Sequence, residues 1–392
     1  MPDSLQVFNP SSGSFTITGN ISSGIWGEFR NRIQDFHRKT PGYDTTYKAA
    51  LKFEPKLGTA ILKGITDTTK NLTVHYNSVF TAIKKDGDYW TVSTRENGKV
   101  LDIKARVVID ATETGEVVSK SGAKVTGGLN NYDLNQFKSY RTSIVAGEDF
   151  PGNEHTAVAA PGILYPPPPA YTIPAKALLL NDADNLLSAG KVLSGKKDVQ
   201  YLPLQLEIGQ GMGTIAAYCA FFKTTTRNLK VRIIQGELLD FKGYLLPFAD
   251  VSLHDGNWRA IQQICATGLL KGVQRTTDAG PQFLFRPDSL VKTDEIKPVL
   301  SEIYTRAFLW FVKEKPGEKF TIGNLLSFIS DYTLTDPQVL TASIQKAWKS
   351  QYKFNQGFDL NRQVSRREFA VLTNRYLNPF ARTIDLDGNV VN

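Results

Sequence analysis

The sequence predicts an α/β fold carrying a β-hairpin or meander insert, followed by an all-α C-terminal module. Residues 171–222 supply the first observation. An apolar strand, NLLSAG, stops at Gly190, and further on Gly209, Gly211 and Gly213 run into an apolar helix with Ile215, Ala216, Ala217 and Ala220. Glycines without Cβ let backbone N–H groups crowd a ligand, and a helix N-terminus adds positive potential suited to anionic oxygens. The second observation is a block of alternating apolar positions over residues 72–118, cut by turn residues. The third is a shift, beyond about residue 239, to amphipathic helical spacing. Together they divide the chain into 1–235 and 240–392.

At 392 residues there is room for two cores, and 41% hydrophobic with 21% charged residues excludes wholesale disorder. The net charge of +8 is diffuse: Lys196-Lys197 and Arg366-Arg367 are isolated pairs. Nucleic-acid binding leaves clustered basic stripes, so this excess reads as a solvated surface. Cys219 and Cys265 are too few for a disulfide framework or a Cys-rich metal site, and Cys219, among Ala and Phe, reads as an inert buried thiol. No apolar run approaches the ~18 residues of a membrane span. The start, MPDSLQVFNPSSG, lacks the basic and apolar regions of a signal peptide.

Taken in order, residues 1–24 read as loop with one short strand at 15–18. Ser22-Ser23 precede a helix over 24–38 with Ile25, Phe29, Ile33 and Phe36 on one face, closed by Pro41-Gly42. A second helix covers 55–66, with Leu57, Ile61, Leu62 and Ile65 inward. Strands follow in LTVHYN, VFTAIKKD, YWTVSTRE and KVLDIKARVVIDAT, with hairpin turns at Asp86-Gly87-Asp88 and Asn97-Gly98. The last strand loses its alternation at Val107-Val108-Ile109, as one buried on both faces would. It ends in Asp110-Ala111-Thr112 before a helix over 117–123, the point at which open α/β sheets place ligands. Residues 126–169 are loop-rich and end in the stiff run Pro166–Pro169, which with Tyr165 and Tyr171 either walls a cleft or braces the core. Helices are expected at 257–267, 293–314, 322–332, 336–352 and 365–376.

Three segments jointly resemble the FAD-dependent oxidoreductase family that includes xanthan-lyase-like proteins. ARVVIDATETGEVVSKSGA (105–123), YTIPAKALLLNDADNLLSAG (171–190) and GQGMGTIAA (209–217) are similar to its motifs in order and spacing, over roughly residues 20–225. The resemblance implies a glutathione-reductase-like flavin fold with FAD as cofactor. It puts Asp110, Ala111 and Thr112 near the adenosine-diphosphate part and Gly190 at the pyrophosphate or ribityl chain. Gly209, Gln210, Gly211 and Gly213 would present a helix N-terminus to the ribityl and isoalloxazine end. The family opens with a strand, Gly-x-Gly-x-x-Gly and a helix; no such motif precedes residue 24, so the chain resembles a member lacking that segment. Lys191 stands where the family has Arg, and VQY (199–201) where it has SIR.

Residues 247–272, with Phe285-Arg286-Pro287 and 291–304, resemble an S-layer homology repeat, and 352–380 a weaker copy. Trp258, Ile261 and Ile264 supply the helix face, and Gly268 and Gly272 end it. That likeness implies either a scaffold packed on the oxidoreductase or attachment to cell-wall polysaccharide at the cell surface. The implied activity is hydride transfer from an unknown small-molecule substrate to flavin. The alternative is a non-catalytic surface scaffold with a degenerate flavin domain. No catalytic base is named and no metal ligands are expected: His37, His75, His155 and His254 are scattered, although His155 lies in the insert where a substrate-facing base could sit. No Gly-x-Ser-x-Gly elbow is present. DLDGN (385–389) starts like a calcium loop but reads as a turn.

Overall fold

Two short strands begin the fold. The computed structural model describes residues 13–18, 21–46, 49–124, 138–148, 165–190, 199–278 and 280–391. In it β1 (Phe15–Ile17) pairs antiparallel with β2 (Leu51–Phe53). Helices α1 (Gly24–His37) and α2 (Pro55–Thr68) lie over them, so that Trp26, Phe29 and Ile33 bury against Ile17, Leu51, Phe53 and Leu202. The expected inward face stops there: Phe36 is 67% exposed, edge-on to His37.

The Asp86–Asp88 and Asn97-Gly98 turns close a three-stranded meander, β3 (Ser78–Asp86), β4 (Tyr89–Glu96) and β5 (Lys99–Ala105). LTVHYN forms no strand, because no neighbouring strand takes up its backbone groups. The expected long last strand breaks at Arg106-Val107, and its end becomes β6 (Val108–Asp110), followed by α3 (Glu116–Ser121). β7 (Ser143–Gly147) pairs antiparallel with β8 (Tyr171–Pro174), while β6 runs parallel to β9 (Leu186–Ser188). Burial of 107–109 on both faces does not hold. Ile109 is 38% exposed, since among the described residues β6 has a strand on one side alone. The meander packs Ile83 and Trp90 on Val117, Val118 and Leu186.

Then come α4 (Leu202–Phe221) and α5 (Val231–Asp240), the latter not anticipated. The C-terminal region is helical but not all-α. Between α6 (Trp258–Thr267) and α7 (Thr293–Ile303) stands a hairpin of β10 (Val273–Thr277) and β11 (Gly280–Leu284). Its first strand is almost wholly exposed, so it carries no alternation to read. The expected 293–314 helix is two, because Tyr304 turns inward and donates its hydroxyl to Leu377 O before α8 (Ala307–Glu314) begins. α9 (Ile322–Thr333), α10 (Pro337–Ala347) and α11 (Arg366–Tyr376) complete the chain; Ser365 and Glu368 form a capping box at α11. Gly268 ends α6 in the left-handed conformation as expected, but Gly272 instead makes room for Phe248 and Phe283.

A continuous buried cluster joins Ile144, Met212 and Ile215 to Trp258, Leu300 and Phe369. Polar links cross the same boundary. Arg141 donates to Glu302 through Nη1 and Nη2 at 2.9 Å, and Lys138 reaches Glu302 at 2.7 Å. Lys176 pairs with Asp387 at 2.6 Å, and Asp385 accepts the amides of Asp387 and Asn389, so 385–389 is a turn clasped to the body. No helix among the described residues is long and apolar enough to cross a membrane.

Candidate functional site

β6 and β9 deliver their carboxyl ends side by side, with Asp110 opposite Ser188 on the last rung. Asp110 is fully buried, and its carboxylate is consumed locally. Oδ1 accepts from Thr112 N at 2.9 Å and from Thr112 Oγ1 at 2.5 Å, and Oδ2 accepts from Val118 N at 2.9 Å. Its side chain is thus a brace that shapes the strand-end loop from behind. Ala111 and Thr112 lie on that loop, and a Cβ at Gly190 would stand 3.5 Å from Thr112 O, so the structure brings these three together.

The glycine motif is elsewhere and behaves differently. A helix N-terminus was expected at 209–213, but α4 starts at Leu202, with Pro203 in its first turn. Gly209, Gln210, Gly211 and Gly213 sit in its interior, where each N–H is committed to the carbonyl four residues back. They offer no amides to a ligand. Gly211 instead lets α4 approach β7: its Cβ would lie 3.3 Å from Ile144 Cδ1 and Ile144 O. Gln210 accepts from Ile25 N at 2.6 Å and so caps α1, beside Gly24, whose φ of 47° and lack of Cβ admit the amide group.

Gly209, Gln210 and Gly213 face a cleft of about 890 Å³ between α1, α4 and α5, walled by Leu206, Tyr218, Phe222 and Phe241. Asp110, Ala111, Thr112 and Gly190 do not line it, so the predicted site is divided in two. Nothing lies within 4 Å of a Cβ placed on Gly209 or Gly213. Gly209→Ala and Gly213→Ala are therefore expected to raise stability by about 0.5–1 kcal/mol each, through helix propensity. Thermal denaturation checks this; a fall in melting temperature would mean that these glycines serve contacts not seen here.

Two buried polar residues escaped the sequence reading. Ser188 is fully buried with no partner for its hydroxyl. Glu207 is 4% exposed; Tyr171 donates to its Oε2 at 3.4 Å, and Oε1 has no partner. Burial pushes its carboxyl well above the usual range, against hydrogen bonds from Ser23 and Tyr171. The available signal was a polar residue within an apolar run, Ser188 in LLSAG and Glu207 in LEIG. A carboxyl that holds its proton more tightly in the folded chain than in the unfolded one, where it ionises near 4.5, costs stability as pH rises above 4.5. Glu207→Gln is expected to flatten that slope, read from denaturant midpoints between about pH 5 and 8. Identical slopes in the two chains would refute it. Burial also holds the Cys219 thiol at about 11, as an inert residue requires. Among the described residues no cluster is arranged to hold a metal ion, and His155 and Lys191 lie outside them.

Open α/β sheets bind ligands outside the carboxyl ends of their parallel strands, and the 111–115 loop and Gly190 lie at those ends of β6 and β9. The family model described as FAD dependent oxidoreductase matches residues 4–146 and 128–238, more than half of the chain, and the chain belongs to that family. No curated protein and no solved structure matches it. The family implies FAD as cofactor. The strand-end residues fit such a group, since Ser188 leaves a buried hydroxyl without partner beside Gly190, where the absent Cβ would face Thr112 O, Gly115 N and Ser188 Oγ at 3.5–3.7 Å. The 209–213 segment does not fit it as an amide cradle.

Proposed function

We propose that this chain is a flavin oxidoreductase that removes two electrons, as hydride, from a carbon of a small-molecule substrate. The bound flavin supplies the electron acceptor. Ala111, Thr112 and Gly190 would hold the cofactor's sugar–phosphate part, and Asp110 would keep their loop in register from behind. Gly209 and Gly213 keep at most a bare surface for a planar ring, Gln210 holds α1, and Gly211 holds β7. The convergence of Thr112 and Gly190 at adjoining strand ends carries this reading.

A second reading is favoured by the helical state of 209–213. In it the flavin part is a non-catalytic scaffold, and the S-layer-homology-like region, 240–392, attaches the protein to cell-wall polysaccharide. Full-length protein incubated with FAD and desalted separates the two. A retained band at ~450 nm, the flavin's own chromophore, supports the oxidoreductase. Colourless protein that pellets with purified cell-wall polysaccharide would leave only the scaffold.

A further inference from the structure

We propose that Ser188 is a cofactor-binding residue of this chain, whose hydroxyl completes a polar niche at Gly190 for a sugar hydroxyl of FAD. The proposal rests on the flavin reading above. Three polar atoms converge on the position a side chain would take at Gly190: Thr112 O at 3.5 Å, Gly115 N at 3.6 Å and Ser188 Oγ at 3.7 Å. Ser188 has no exposed surface, and its Oγ has no hydrogen-bond partner. The nearest carboxylate on its rung, Asp110, is occupied by Thr112 and Val118. A buried hydroxyl left unbonded costs stability, so an outside partner is the missing element. Gly115 N spends its proton on a long bond to Thr112 O, 3.4 Å, which an incoming oxygen can share.

The chemistry of the niche selects its ligand. Ser188 and Gly115 donate, whereas Thr112 O accepts and repels an anionic oxygen. A hydroxyl does both, and a phosphate oxygen cannot. The ribityl chain and the adenosine ribose both carry such hydroxyls, so FMN, which lacks the ribose, tells them apart.

Ser188→Ala in the full chain is expected to weaken FAD about tenfold, measured by quenching of flavin fluorescence, as one lost hydrogen bond would. Its melting temperature without cofactor should stay level or rise, because an unbonded buried hydroxyl has been removed. An equal loss with FMN assigns the ribityl chain; a loss confined to FAD assigns the ribose, and either supports the proposal. Unchanged FAD affinity overturns it. A lower cofactor-free melting temperature also overturns it, since the hydroxyl then serves the fold. A native chain that binds no FAD overturns the flavin reading itself, before any variant is made.

Discussion

Replacing Glu302 by Gln is expected to cost about 3 kcal/mol, the low end for removing one partner of a buried pair, because Glu302 is partly open to solvent while Arg141 is not. The consequence exceeds that of an ordinary ion pair because of what remains. Arg232 is half-buried beside Arg141, donating to Arg141 O, Gln235 Oε1 and Ala266 O, and desolvation followed by the Arg141 charge lowers it to about 9. Lys271 lies within cation–π distance of Tyr140 and Tyr165, and burial lowers it too, with Arg141 adding to the effect. Without the carboxylate, this group of cations must be held together against its own repulsion. Burial would raise the Glu302 carboxyl, but hydrogen bonds and charge from Arg141 and Lys138 hold it at about 2. The pair's contribution is thus complete above about pH 5 and drains away as pH falls from 4.5 toward 2. Urea denaturation at neutral and acid pH checks both halves. Equal stability of native protein and variant at neutral pH would dismiss the network as a stabilising element.

Gly211→Leu is expected to cost at least ~3 kcal/mol, the upper range for forcing volume into a packed interior. Ile144 Cδ1, Ile144 O and Val145 Cγ2 stand 3.3–3.4 Å from where Cβ alone would lie, and one of them is backbone. The added atoms must drive α4 off β7, and the antiparallel partner β8 follows β7. Gly211→Ala serves as the control, since its gain in helix propensity roughly offsets these tight contacts. A variant with Leu that melts with the native protein would show that β7 yields easily, contrary to the packing described.

Much of the local structure was legible, and for stateable reasons. The Asn97-Gly98 turn is short-range chemistry, and Gly268 ends its helix by the same kind of local preference. The start of α4 was not, because glycines lower helix propensity and the packing of Gly211 on β7 overrides them from outside the window. Ile109 reads as core from its apolar neighbours, yet exposure depends on how many strands flank β6. The meeting of Ala111, Thr112 and Gly190 at strand ends was legible in the sequence. The roles of Asp110 and Gln210, whose side chains turn back onto their own fold, were not. Ser188 and Glu207 carry no motif. Only three-dimensional placement shows that one lacks a partner and the other lies in apolar surroundings.

The clasp between the 385–389 turn and the helical turns that flank β7 and β8 has a kinetic meaning. Arg141 donates to Gly388 O across 247 residues, and Lys176 meets Asp387 across 211. Closures of that span form late, because loop entropy must be overcome before the contact repays it. During synthesis the first 240 residues wait with part of their apolar surface uncovered until the final helices leave the ribosome. Slow refolding of the full chain is the expected consequence.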